Sequence, residues 1–328
     1  MELGLSGFEL ELIAPPGQSR KDLAQALARR CNGTVRCGMK MLTLTIDDRG
    51  DWLGSCELVP AYRVIDSQGR LRFQLEDDFS INAELDVAAA PSQEAWRLTC
   101  DDSRLAGLAE RQVSGDSEAE VLQNFLLLFS AHLDPPLADH PGLRPIVDSY
   151  GHLVAVHGRY GKERERVCEV VTRPLHPEER REVLESVIEE ANALGFGPAK
   201  EGSVHVHYDA EPWRDPGTLC HLIQRWSSER TELLAKLEPN PATPQWRGGF
   251  SSEVQAVADQ GADLPFTTLA TNLLKAGLKK RSDLNLLGIA RPGHRQATLE
   301  TRVLPMSLDL AEFWSKLEIL EAFLQDCL

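Results

Sequence analysis

The sequence predicts an α+β fold built on an antiparallel sheet, not a doubly wound parallel one. Strand-like and helix-like stretches are mixed along the 328 residues without the strict alternation of a parallel βαβ sheet. No internal repeat and no clear linker divides the chain, so it reads as one domain over 1–328. No glycine-rich phosphate loop of the P-loop or Rossmann kind is present, so a nucleotide would have to be held by metal ions and side chains.

The first strand is Gly7-Phe8-Glu9-Leu10-Glu11-Leu12-Ile13, in which apolar and acidic residues alternate with a period of two. Pro15-Pro16-Gly17 breaks it, and Ser19 is placed to cap a helix with Leu23, Ala24 and Leu27 on its inner face. Short strand-like runs follow between about Val35 and Thr99: Met39 to Ile46, Tyr62 to Ile65, Leu71 to Leu75 and Trp96 to Thr99. Ser117 to His132 reads as a helix with Val121, Leu122, Phe125 and Leu128 as its core stripe, and Asp134 to Pro145 as a loop. Arg166 to Thr172 is a buried strand. Pro177 opens a helix running to about Leu194, with Gly195 as its stop. Ser203 to Asp209 is a further strand and Thr218 to Leu237 a helix. After a proline-rich loop at Pro239 to Pro244 come a helix at Phe266 to Leu278, a strand at Ala297 to Leu304 and a last helix at Leu310 to Leu324.

A net charge of −15 repels phosphate backbones and argues against nucleic acid as a partner. It leaves room for a nucleotide in a local cationic pocket. The seven cysteines are scattered and form no Cys-x-x-Cys pair, which fits free thiols in a reducing cytosol better than a zinc ribbon. The N-terminus carries Glu2 and Glu9 where a signal peptide would carry Lys or Arg, and no apolar run approaches the ~20 residues that cross a bilayer. The expected setting is cytoplasmic, without a membrane partner.

Three strands share one feature: two ionisable residues separated by one residue. They are Glu9 and Glu11, His205 and His207, and Glu300 and Arg302. In a strand, residues i and i+2 face the same way, about 7 Å apart. Each pair therefore projects from one sheet face while Phe8, Leu10, Val204, Val206, Leu299 and Val303 project from the other. A solvated polar face would explain one such strand more readily than three. Glu169 adds an acid inside the apolar run Val167-Cys168-Glu169-Val170-Val171, where a carboxylate is costly unless it is paired or bound to a metal. Carboxylates converging with imidazole suit divalent cations, and an oxygen-rich set favours Mg²⁺ or Mn²⁺ over the His-rich sets of zinc hydrolases. Arg159, Lys162, Arg164 and Arg166 form a small basic run that reads as a solvated strand edge, or alternatively as a site for an acidic substrate or a phosphate.

These segments resemble one family. Gly7-Phe8-Glu9-Leu10-Glu11 is similar to the opening motif of the amidoligases, and Cys168-Glu169-Val170-Val171-Thr172-Arg173-Pro174 to their second acidic strand. Gly202-Ser203-Val204-His205-Val206-His207 resembles their histidine strand, and Arg281 with Asn285-Leu286 their Arg/Asn segment. Ala297-Thr298-Leu299-Glu300-Thr301-Arg302 with Leu308-Asp309 resembles their closing motif. Glutamine synthetase carries the same Glu-x-Glu, His-x-His and Glu-x-Arg elements in the same order. The resemblance covers roughly 1–30 and 160–328. The partly strand-rich segment at about 35–160 is less typical: members carry an Asp-x-Ser there, for which Asp101-Asp102-Ser103 and Asp148-Ser149 are the two candidates.

The resemblance implies a glutamine-synthetase-like antiparallel sheet with helices packed on one face. It also implies an ATP-dependent ligase that joins a small-molecule or peptide carboxylate to an amine through an acyl phosphate. Glu9, His205 and Glu300 then match the ligands of one Mg²⁺ (or Mn²⁺), and Glu11 and Glu169 those of another. His207 would approach the ATP phosphates, with Asn285 on the nucleotide side. Arg302 would clamp the transferred phosphoryl group, with Arg281 as a second, weaker cation. The alternatives are a non-catalytic binding member of the same fold, or a metal-dependent hydrolase using the same face.

Overall fold

A computed structural model describes residues 3–43, 55–86, 88–242, 248–291 and 297–328. In chain order its first elements are β1 (Ser6–Ile13), α1 (Arg20–Arg30), β2 (Thr34–Thr43), β3 (Cys56–Ile65), β4 (Leu71–Glu76), β5 (Pro91–Cys100), α2 (Ser103–Gln112), β6 (Ser114–Gly115), α3 (Glu118–Leu128), β7 (Ala131–Leu133), β8 (Leu143–Asp148) and β9 (Leu153–Gly161). A 3-10 turn at Lys162–Arg166 leads into β10 (Val167–Thr172), α4 (Pro177–Ala193), β11 (Gly197–Pro198), β12 (Ser203–Asp209), α5 (Pro216–Leu237), α6 (Ser252–Gly261) and α7 (Phe266–Lys275). The chain ends with β13 (Leu284–Asn285), α8 (Leu287–Ala290), β14 (Thr298–Pro305) and α9 (Leu310–Asp326).

The strands form a single sheet in the order β13-β14-β12-β1-β10-β4-β3-β5-β9-β8-β7, with β11 added to β1 and β2 to β3. The strand pairings among the described residues are antiparallel, and the class is α+β as the mixed pattern predicts. Phe8, Leu10 and Leu12 of β1 and Val204 and Val206 of β12 are fully buried on one sheet face. They share one continuous core with Leu23 and Leu27 of α1, Leu184 and Val187 of α4, Ile223 and Trp226 of α5, and Leu317 and Leu320 of α9. The apolar half of each period-2 strand is thus covered by helices, and the polar half is left to the opposite face.

Local sequence sets where these elements begin and end. The Ser19 amide donates to the Asp22 carboxylate at 2.8 Å at the start of α1. Pro177 opens α4, and Gly195, with φ of +75°, follows its end in the left-handed region that glycine tolerates. Gly202 lets β12 close against β1, because a Cβ there would lie 2.8 Å from the Glu11 carbonyl oxygen.

The structure departs from the sequence expectations mostly between 35 and 160. Helix α2 and strand β9 occupy stretches where the sequence predicts no element, and β8 begins inside the expected loop at Asp134 to Pro145. The helix expected to reach His132 stops at Leu128, where the chain turns through Ser130 (φ +49°) into β7. Helix α6 likewise lies where the sequence predicts no element. The expected strand at Met39 to Ile46 is β2, shifted toward the N-terminus; its last three residues lie outside the described ones, as does part of the loop at Pro239 to Pro244. The basic run is not a solvated edge throughout: Arg164 is buried. All seven cysteines are free thiols, and among the described residues no helix is long and apolar enough to cross a membrane.

Leu10 and Glu11 are neighbours on opposite faces, so their substitutions separate packing from site chemistry. Leu10→Ala should lower unfolding free energy by about 2–5 kcal/mol in a denaturant titration, the usual cost of emptying a packed core position.

Candidate active site

Strand register assembles the polar face. On one side of β1, Glu9 lies opposite His205 of β12, and His207 in turn opposite Glu300 of β14. On the other side Glu11 faces Glu169 of β10, and Glu169 faces Glu76 of β4. The β12–β14 register slips by one between Val206 and Val204, and Arg302, two residues beyond Glu300 on β14, pairs with it at the end of this row. Four strands thus bring Glu9, Glu11, Glu169, His205, His207, Glu300 and Arg302 together.

The contacts are tight. His205 Nδ1 lies 2.9 Å from Glu9 Oε2 and 3.9 Å from Glu300 Oε1, and its Nε2 lies 3.4 Å from Glu11 Oε1. His207 Nε2 lies 3.2 Å from Glu9 Oε1, and its Nδ1 lies 3.2 Å from Thr298 Oγ1. Ser203 donates its amide and its hydroxyl to Glu11 Oε2 at 2.6 and 3.0 Å. Arg302 Nε donates to Glu300 Oε1 at 2.6 Å, while the Asn285 amide donates to Glu300 Oε2 at 2.7 Å.

Three sets of ligand atoms, each within 4.8 Å of one another, could hold a cation: Glu9–His207–Glu300, Glu9–Glu169–His205 and Glu11–Asp78–Glu169. Their shared members make one extended locus with room for more than one ion. The donors are mostly carboxylate oxygens with imidazole on one side.

Electrostatics divides the acids into two classes. Burial would raise Glu9, but His207 and His205 hold it well below the ordinary carboxylate range. Burial is likewise outweighed at Glu300, where Arg302, His207 and His205 lower the pKa to about 2. At Glu11 burial prevails over the opposing His205 and raises the pKa to about 7. Glu169 is pushed well above the normal range by burial and by Glu9, Asp78, Glu76 and Glu11.

Several participants were not anticipated. Asp78 comes from the turn after β4, and the signal was present: Asp78-Phe79-Ser80 is an Asp-x-Ser before the second acidic strand. Both earlier candidates have other roles. Asp102 caps α2 and pairs with Arg104. Asp148 holds a turn by accepting the amides of Tyr150 and His152. Glu76 continues the phase of Gln74 one residue past the expected strand end, and Lys40 Nζ sits 3.1 Å from it. Lys280 faces the cluster from the other end, where burial and Arg302 lower its pKa. Next to it Arg281 is exposed. Asn285, expected on the nucleotide side, is buried with its amide committed to Glu300 and its oxygen to the Leu287 amide.

A cavity of about 390 Å³ opens beside Glu9 and His207. Leu5, Val171, Pro174 and Ala297 give it apolar walls, and Thr172, Asp209 and Thr298 add polar atoms.

A family model described as "Putative amidoligase enzyme" matches residues 5–247 of the chain. No curated protein and no solved structure matches it.

The raised Glu11 gives a pH signature in chelator-treated protein. Its carboxyl keeps a proton in the folded state up to about pH 7 but loses it near 4.3 when unfolded, so the folded state binds more protons between these values. Stability contributed by this group therefore falls as pH rises through that window, by on the order of 3 kcal/mol. Glu9 and Glu300, depressed, lend stability that is constant across the window and lost only at lower pH. In the chelator-treated protein Glu11→Gln should make the decline in unfolding free energy between pH 5 and 7.5 shallower, leaving the part contributed by Glu169. An unchanged slope would show that Glu11 ionises normally.

Proposed function

The chain belongs to the amidoligase family, and from that premise we propose that it is an ATP-dependent carboxylate–amine ligase acting through an acyl phosphate. The observation that carries this reading is the juxtaposition of an acidic locus with Arg302 and His207 at one end, beside a cavity of about 390 Å³. In the proposed reaction a substrate carboxylate oxygen attacks the γ-phosphorus of ATP, the bond to the bridging oxygen breaks, and ADP leaves. The amine nitrogen then attacks the acyl carbon, the carbon–oxygen bond to phosphate breaks, and the nitrogen loses a proton to give the amide.

Glu9, His205 and Glu300 would hold one Mg²⁺ or Mn²⁺, and Glu11, Glu169 and Asp78 the other. Bound there, such ions would neutralise charge on the phosphate oxygens. The chain's own groups do the rest. His207 projects toward the cavity, oriented by Thr298 on one nitrogen and Glu9 on the other, and would meet the nucleotide phosphates. The apolar walls would take the base. Asn285 acts by holding Glu300 in place. Arg302 would supply a planar fork to the transferring phosphoryl group, where positioning and charge neutralisation make up most of the catalysis. Arg281, exposed nearby, would be a weaker second cation. The substrates are a small-molecule or peptide carboxylate and an amine, in a cytoplasmic setting.

A second reading has one observation in its favour: Arg302 already spends its Nε on Glu300, as a purely structural ion pair would. Arg302→Lys separates the two. A structural pair needs only a point charge, whereas a phosphoryl clamp needs the fork. Turnover, read as Mg²⁺-dependent ADP release across a panel of carboxylate and amine pairs, should fall at least about tenfold, or 1.4 kcal/mol of transition-state stabilisation. Nucleotide affinity should change less. Equal losses in both would assign Arg302 to ground-state binding, and full activity would leave it a structural pair. ADP release that needs no amine acceptor, or product formation without nucleotide, would overturn the ligase reading itself.

A further inference from the structure

We propose that Arg164 is the residue that positions Asp78 in the acidic locus, an inference that rests on the cation-binding part of the reading above. Asp78 is the only member of the clustered groups that comes from no strand: it sits two residues past the end of β4, in a turn. Its carboxylate is within 4.8 Å of Glu11 and Glu169 ligand atoms, and three carboxylates that close repel one another. Glu11 and Glu169 are locked by the ladder between β1 and β10. Asp78 has no such restraint, so something must hold its turn in place.

Arg164 does so from the 3-10 turn that precedes β10. It is 7% exposed, and its guanidinium is spread over the whole turn. Nε and Nη2 form a bidentate pair with the Asp77 carboxylate. Nη1 donates to the Ile81 carbonyl at 2.6 Å and to Asn82 Oδ1 at 3.0 Å, and Nη2 donates to the Asp78 carbonyl at 2.9 Å. The guanidinium also lies over the Phe79 ring at 4.7 Å, and Phe79 packs on Tyr160 of β9 at 5.1 Å. Arg164 is itself fixed, since its carbonyl accepts Arg20 Nη1 at 2.6 Å. One side chain therefore touches residues 77, 78, 79, 81 and 82. With Asp77, Arg164 and Arg20 drawn toward each other on one side, the Asp78 side chain is left on the other, toward Glu11 and Glu169. The Ser80 amide and hydroxyl, both 2.8 Å from the Asp78 carboxylate, set its final orientation.

The bidentate pair alone would be a buried ion pair with a stabilising or neutral role. What distinguishes a positioning role is that a fork of five donors is needed to reach the other three acceptors, which a lysine cannot do. The experiment is Mn²⁺ titration of the full chain without nucleotide, for wild type, Arg164→Lys, Asp78→Asn and the double variant, with thermal unfolding of each. Wild type should bind more than one Mn²⁺. Arg164→Lys, folded, should weaken one of these ions at least tenfold and leave the other unchanged, as Asp78→Asn does. The double variant should be no weaker than Asp78→Asn alone, because both act on one contact. Should Arg164→Lys fail to fold, Asn82→Ala removes a single Arg164 partner and should weaken the same ion by a smaller factor. Wild-type affinity in a folded Arg164→Lys, or additive losses in the double variant, overturns the proposal. A wild type that binds no Mn²⁺ overturns it together with the cation reading. A wild type that binds Mn²⁺ but releases no ADP with any substrate pair counts against the ligase reading alone.

Discussion

The rest of the structure is organised around a row of like charges. Glu11, Glu169 and Glu76 stand directly opposite one another on three adjacent strands, with Glu9 and Asp78 close by. Like charges directly opposite in a sheet are destabilising, and burial makes each ionised carboxylate costlier. The fold answers with cationic groups at both ends. Arg302 and His207 flank Glu9 and Glu300 at one, and Lys40 meets Glu76 at the other, held in its charged form because Glu76 and Glu169 outweigh its own burial. In the middle, the Ser203 donors and His205 reach Glu11, but burial there prevails over the opposing basic groups. That is where the carboxyl pKa values rise.

Such an arrangement survives because the opposite face of the same strands is packed without interruption. Every residue that alternates with a site residue on β1 and β12 is fully buried against helices, so the backbone carrying the acids cannot relax away from them. The segment at 35–160 extends the sheet beyond β10 through β4, β3, β5 and β9. It also contributes directly, through Glu76, Asp78 and Lys40, and indirectly, through the packing of Phe79 on Tyr160. A region that looked peripheral to the motifs completes one end of the site.

The distribution of charge also bears on chemistry. A guanidinium stands at one end of the acidic row, and a cavity of about 390 Å³ opens beside it. Phosphoryl transfer uses both, because negative charge spread over several oxygens has to be met from several directions at once. Arg302 is joined to Glu300 through Nε.

Side-chain direction along a strand is a local property, and the sequence determined it alone. The alternation of Phe8-Glu9-Leu10-Glu11, Val204-His205-Val206-His207 and Leu299-Glu300-Thr301-Arg302 is enough to say that each pair of ionisable residues shares a face. Helices with strong punctuation, such as the one between Pro177 and Gly195, were equally legible, since caps and stops act over a few residues. Which strands lie side by side is not local. Only tertiary structure decided that β4 docks against β10, and with it that Glu76 and Asp78 join the acids while Asp102 and Asp148, with similar sequence surroundings, serve as a helix cap and a turn. Arg164 shows the same limit: in the sequence it is one of four basic residues in a run of alternating charge, and only the fold turns it inward. Pairing partners separated by ninety residues are selected by the total packing of the sheet, and no short stretch of either partner contains that information.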